Sequence, residues 1–218
     1  MKLSEILELT GGYKKKPSQA RSNKTVDDLY QSAKEIFESE IDEEFSTKLL
    51  SEKSGYSAGV IYRYFNKFED IFLTILFEKA DLHVIEVQEI YLNHKPTENI
   101  DLLVKKIVGH AFSFFSSRSM FVNKLPLLFK FAMRRLKNPD EIFTFGDRFA
   151  PYLMELQKND ATNTFETMDE MECTLRLRAF DLFMRVPYIT SNNTFSFQEH
   201  KKSCIKFGVQ IFSKHSDK

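Results

Sequence analysis

Apolar positions recur every three or four residues along most of the chain, in stretches parted by short polar breaks. Val26, Leu29, Tyr30, Ala33, Ile36 and Phe37 form one such stripe, and it predicts a first helix over 25–39. Leu49 and Leu50 face inward in a short second helix over 47–53, and Ile61 and Phe65 do so in a third over 58–65. Phe68, Ile71, Phe72, Ile75 and Leu76 hold the helical period in a fourth, capped by Asn66 and reaching about residue 93. Beyond Pro96 the pattern predicts helices near 97–117, 120–136, 139–158, 165–189 and 195–214, with Pro126 kinking or restarting the second of these. Breaks fall at Asn138-Pro139, Asp160 to Asn163 and Ser191 to Asn193. About nine helices and no strand make an all-α protein.

Local chemistry sharpens the segment FSTKLLSEKSGYSAGVIYRYFNK. Ser46 is suited to cap the second helix, because its hydroxyl can accept from free amides of the first turn. Gly55 can take the left-handed conformation that stops that helix, and Ser57 can cap the next. Two helices of about two turns around a glycine form a helix-turn-helix candidate. In that motif the second helix enters the major groove with its first residues nearest the bases. Ala58 and Gly59 are small enough for such an approach. With Ile61 and Phe65 turned to the core, Ala58, Tyr62 and Arg63 face outward, and Val60 and Tyr64 lie on the margins. Tyr62 can donate to a phosphate, and Arg63 to a phosphate or bidentately to a guanine edge. Ser46 or Thr47, and Lys67 beyond the motif, can grip flanking phosphates. A core helix with an exposed arginine satisfies the same spacing.

Composition adds bounds. The chain has 218 residues, 22 of them phenylalanine and only seven glycine, which suits helices with a sizeable core. The net charge is zero, so any attraction for a polyanion must be local. Lys14 to Lys24 supplies it: Lys14, Lys15, Lys16, Arg21 and Lys24 stand there without an acid between them. With Gly11-Gly12 and Pro17 nearby, residues 1–22 read as a flexible basic arm, either a solubilising tail or a contact to DNA. Cys173 and Cys204 are too few for a disulfide framework. The opening MKLSEILELTGG has no apolar core long enough for a secretory signal, and no run is long enough to span a membrane. A soluble, cytoplasmic protein is the expectation. The histidines (His83, His94, His110, His200 and His215) show no metal-binding spacing, and no phosphate-cradling loop or nucleophile motif occurs. Nothing in the sequence calls for an enzyme, a cofactor or a metal.

Residues 23–72 resemble the DNA-binding domain of the TetR family of bacterial transcriptional regulators. Ser57, Gly59, Tyr62, Tyr64, Phe65 and Lys67 match the family pattern of serine cap, glycine, aromatics and lysine. Glu40-Ile41 stands where the family usually has glycine, and Ser46 and Ser51 where it usually has threonine and alanine. The acidic patch Asp42-Glu43-Glu44 precedes the helix-turn-helix, and either points away from DNA or weakens binding. The resemblance implies a helix-turn-helix domain over 23–70, then an effector-binding and dimerisation domain over 71–218. It further implies a homodimer on a near-palindromic operator of double-stranded DNA, acting as a repressor released by a small effector. A helical interaction module without sequence-specific DNA binding is the alternative.

The resemblance also implies a dimer built by the last two helices. Met168, Met171, Leu175, Ala179, Leu182 and Val186 make one helix face, and Cys204, Ile205, Gly208, Ile211 and Phe212 another. Gly208 would allow a close helix crossing. Two core helices within one chain would show the same stripes. Between them and the motif the chain is dense in aromatics. Phe114, Phe131, Phe149 and Tyr152, with His110 and Arg134 as polar groups, suit a pocket for an apolar or aromatic effector. Phenylalanines that merely fill a core would be spaced no differently.

Overall fold

The computed structural model describes residues 13–38, 46–116, 146–189 and 196–214. Eight helices occur among them: α1 (Ala20–Glu38), α2 (Thr47–Ser54), α3 (Ala58–Tyr64), α4 (Glu69–Leu92), α5 (Ile100–Ser116), α6 (Gly146–Asn159), α7 (Glu170–Ile189) and α8 (Phe197–Phe212). The described residues contain no strand, only two isolated bridges. The protein is all-α. The helix expected near 120–136, with Pro126, and the first part of that near 139–158 lie outside the described residues, as does Asp42-Glu43-Glu44.

The chain divides into two compact units, with Asp81 in the first and Leu82 in the second. In the first, α1 buries the whole expected stripe of Val26, Leu29, Tyr30, Ala33, Ile36 and Phe37. It begins at Ala20, five residues before the periodicity suggests, because its first turn is polar and closes on itself: Ser22 Oγ accepts from Gln19 N–H at 3.1 Å and donates to Gln19 O at 2.8 Å. On α4, Ile71 to Phe77 is buried without interruption. Polar contacts tie α4 to α1: Tyr30 donates its hydroxyl to Glu78, Lys34 Nζ lies 3.3 Å from the same carboxylate, and Lys79 donates to Glu38 at 2.5 Å. At the start of α4, Asp70 reaches back, its Oδ2 accepting from Lys67 N–H at 2.9 Å.

In the second unit α6 packs on α7, α7 on α8, and α8 on α5. Val104, Val108, Phe112, Leu153, Leu177, Phe180, Cys204 and Phe212 are among its buried residues. Asp160 organises the α6–α7 connection by accepting from the N–H groups of Thr162, Thr164 and Phe165 at 2.7–3.0 Å. The connection is pinned to the end of α8 by the Phe165–Ser213 bridge.

Candidate nucleic-acid interface

The α2–α3 pair is held by local chemistry. Ser46 Oγ accepts from Leu49 N–H at 3.2 Å, so the first cap forms as expected. Gly55 has φ 72°, the left-handed region that disfavours other residues, and its N–H closes α2 onto Ser51 O at 3.0 Å. Ser57 makes no side-chain cap; its carbonyl accepts from Val60 and Ile61. The turn is anchored to α1 by Tyr56, whose hydroxyl donates to Asp28 Oδ2 at 2.8 Å. Lys24 donates to the same carboxylate, and those two donors hold Asp28 below the usual carboxylate range, Lys24 having the larger effect.

Ile61 and Phe65 are fully buried, which fixes the rotation of α3 about its axis. Ser57, Ala58, Gly59, Tyr62, Arg63 and Lys67 are exposed, and Val60 is half-buried. Tyr64 departs from expectation. One turn after Ile61 and beside Phe65, its ring enters the core at 8% exposure, so its side chain leaves the outward set. Thr47 and Ser46 are half-buried at the start of α2, and Thr47 Oγ1 shares a 2.7 Å hydrogen bond with the Tyr62 hydroxyl. The two helices therefore present one linked surface. A Cβ added at Gly59 would meet only Ser57 Oγ, at 3.8 Å. Among the described residues, packing does not require a glycine there.

The basic arm is placed differently from a loose tail. Tyr13 forms an antiparallel bridge with Phe65, its ring stacks on that of Phe65 with centroids 6.2 Å apart, and Asn66 Nδ2 donates to its carbonyl. The Lys14 N–H donates to Tyr64 O at 2.8 Å. Lys14, Lys15 and Lys16 are exposed at the exit of α3, and Arg21 is exposed in the first turn of α1. Tyr13, Asp28 and Tyr56 were not singled out by the sequence, since each acts through a partner at least 28 residues away.

Of the residues assigned to an effector pocket, His110, Phe149 and Tyr152 have described side chains. Phe149 is buried in a ring stack with Tyr91 at 5.5 Å, and the half-buried Tyr152 contacts the same ring at 6.3 Å. His110 lines an open groove of about 440 Å³ with Glu86, Glu89, Ile90, Asn93 and Lys106. Its Nε2 lies 3.1 Å from His83 Nδ1 and 3.3 Å from Glu86 Oε2. Burial, helped by His110 and Arg185, depresses His83 to about 3. The Phe114 side chain, Phe131 and Arg134 lie outside the described residues.

The candidate dimer residues split. On α7, Met171, Leu175, Ala179 and Leu182 are exposed in one line, Met171 at 72% and both leucines at 57%. On α8, Ile205 and Ile211 are half-buried, but Gly208 and Phe212 are core of their own chain. Gly208 admits Phe180 of α7 and Val104 of α5, and Phe212 packs edge-on against Phe180 at 5.5 Å. The close crossing expected of Gly208 is thus intramolecular. Burial raises the thiols of Cys173 and Cys204, to about 11 and about 12, which leaves both protonated. Among the described residues no cluster of three His, Cys, Asp or Glu can hold a metal, and no helix is long and apolar enough to cross a membrane.

No protein-family model matches the chain, and no curated protein does. Solved structures do. A TetR-family transcriptional regulator from Mesorhizobium loti MAFF303099 superposes with a TM-score of 0.59 at 14% identity, over 90% of this chain and 100% of its own. The fatty acid degradation regulator FadR from Bacillus halodurans gives 0.53 at 14% identity, over 89% of this chain and 97% of its own. FadR from Bacillus subtilis, in complex with stearoyl-CoA, gives 0.56 at 13% identity, over 84% and 97%. The chain has the fold of TetR-family regulators.

Proposed function

We propose that this protein is a TetR-type transcriptional regulator that reads a near-palindromic operator as a homodimer, in the cytoplasm, and acts as a repressor. The observation that carries the reading is the outward face of α3. It opens with Ala58 and Gly59, small although nothing among the described residues crowds Gly59, and closes with exposed Tyr62 and Arg63. A surface left low for no internal reason suits the close approach of a duplex. Arg63 reads a base edge or grips a phosphate, while Tyr62, Thr47 and Lys67 position the helix on the backbone.

The homodimer rests on the apolar line of α7, since single exposed apolar residues are ordinary but the row of Met171, Leu175, Ala179 and Leu182 suits a contact surface. Two copies of α3 about one DNA turn apart, roughly 34–36 Å, then match two half-sites. The effector is small and apolar or aromatic. The phenylalanine-rich sequence supports this class, and so does the stearoyl-CoA held by the Bacillus subtilis neighbour. Effector binding favours one spacing of the reading heads, and α4, which carries residues of both units, passes the difference on.

The test is a salt series on selected and random duplexes. A sequence reader keeps a large preference at physiological salt while overall affinity falls steeply. Equal, weak binding to both would leave a helical interaction module as the better reading.

A further inference from the structure

The segment 13–16 and the end of α3 come from opposite sides of the helix-turn-helix sequence, yet they are joined by more than chance contact. The Tyr13–Phe65 bridge, the Tyr13 ring on the Phe65 ring, the Lys14 amide on Tyr64 O and the Asn66 amide on Tyr13 O all act on one short stretch. The charge on the joined segments is one-sided. Residues 13–24 and 57–68 hold seven cations and no acid, in a chain whose net charge is zero. Lys14, Lys15, Lys16, Arg63 and Lys67 are all exposed, and a cluster of exposed cations raises the local potential that draws in a polyanion.

We propose that Tyr13 is a clasp that fixes Lys14, Lys15 and Lys16 beside the reading helix, making them a ready-built contact to the phosphates that flank each half-site. The inference rests on the DNA-binding reading above and adds a positioning residue to it. A loose tail must be ordered when DNA binds, and that ordering opposes association. The clasp removes this cost in advance, because the lysine backbone is already bound to α3. The partner is duplex DNA rather than a lipid surface, since the clasped segment is bonded through Lys14 N–H to Tyr64 O, at the end of the candidate reading helix and next in sequence to Arg63.

The experiment uses the full chain and a random-sequence duplex of about 30 base pairs, so it needs no operator. Each phosphate contact contributes about 0.9 to the slope of log affinity against log salt. Replacing Lys14, Lys15 and Lys16 together by Gln is expected to reduce that slope by about 2. Tyr13→Ala, which keeps every charge, is expected to reduce it by about 1 and to weaken binding severalfold. Tyr13→Phe keeps the ring and the backbone bonds and should match wild type. A wild-type slope in the lysine variant, whose substitutions are all on the surface, overturns the proposal even if Tyr13→Ala fails to fold. So does a wild-type slope in folded Tyr13→Ala, and so does loss of binding to anionic phosphatidylserine vesicles in the lysine variant with DNA binding intact. Salt-steep binding that responds to Tyr13 but shows no sequence preference leaves the clasp standing and sinks the operator reading instead.

Discussion

Thr47 and Tyr62, fifteen residues apart, share a 2.7 Å hydrogen bond between their hydroxyls, across the two helices of the helix-turn-helix. The bond sets the angle at which Tyr62 leaves α3, and it places the first residue of α2 on the same surface. Removing either hydroxyl, by Thr47→Val or Tyr62→Phe, should weaken binding evenly on operator and random DNA. The double variant should lose less than the sum of the two, with a coupling of about 0.5–1 kcal/mol in a mutant cycle. Strict additivity would show that the two residues act separately.

Arg63 has a different role and should give a different result. Arg63→Ala is expected to weaken operator binding by about 1–3 kcal/mol or to change base preference, with dimer assembly untouched. Gel-shift titration on a panel of operator variants checks this. Affinity and preference equal to wild type would take Arg63 off the reading surface.

The dimer is testable without DNA. Leu175 and Leu182 are exposed on α7, so a charge at each leaves the chain's own packing intact. The double variant Leu175→Glu, Leu182→Glu should sediment as a 25.6 kDa monomer, where wild type runs at twice that mass. A variant that remains a dimer would place the interface elsewhere.

Gly208 tests the intramolecular side of the same helices. A Cβ there would fall 2.6 Å from Phe180 Cε2 and 2.8 Å from Val104 Cγ1. Phe180 is itself buried against Phe212, so its ring has little room to yield. Overpacking of this kind costs about 1–3 kcal/mol, and the better helix propensity of alanine offsets about 1 kcal/mol. With these contacts all under 3.0 Å the cost lies in the upper part of that range, about 2–3 kcal/mol, so urea denaturation of Gly208→Ala should show a net loss of about 1–2 kcal/mol. Unchanged stability would mean that Phe180 and Val104 move aside freely.

His83 predicts a pH dependence. Its folded pKa, about 3, lies below its ordinary 6.5, so between these values the unfolded chain binds the extra proton. The contribution of His83 is complete above pH 6.5 and is lost as the pH falls toward 3. Asp181 acts oppositely. Burial, partly countered by Arg185, raises its carboxyl from 3.8 to about 6, which stabilises the fold as the pH falls through that window. The comparison of wild type with His83→Leu separates the two: the variant should lose less stability between pH 7 and pH 4. Parallel curves would contradict a buried neutral His83.

What was legible in the sequence follows the range of the chemistry. The α1 stripe was readable because helical periodicity and burial are the same signal, and Ser46 and Gly55 because a cap or a left-handed stop involves only a few neighbours. Tyr64 was misplaced by its position near the edge of the apolar stripe, where spacing alone does not divide core from surface. Gly208 was read correctly as a close approach but given the wrong partner, since a stripe does not say whether the neighbour is the same chain or another. Phe149 and Tyr152 show a similar ambiguity: an aromatic that lines a pocket and one that fills a core have identical spacing. The Tyr13 clasp has no sequence signal, because a bridge to a residue 52 positions away leaves no local pattern.

The central claim is that α3 is an outward reading helix presented twice. Selection of bound sequences from a random DNA pool tests it most directly. The expected result is a near-palindrome whose half-sites are centred about one helical turn, 10–10.5 base pairs, or a multiple of it apart. Recovery of no shared sequence, or of one unpaired half-site, would contradict it.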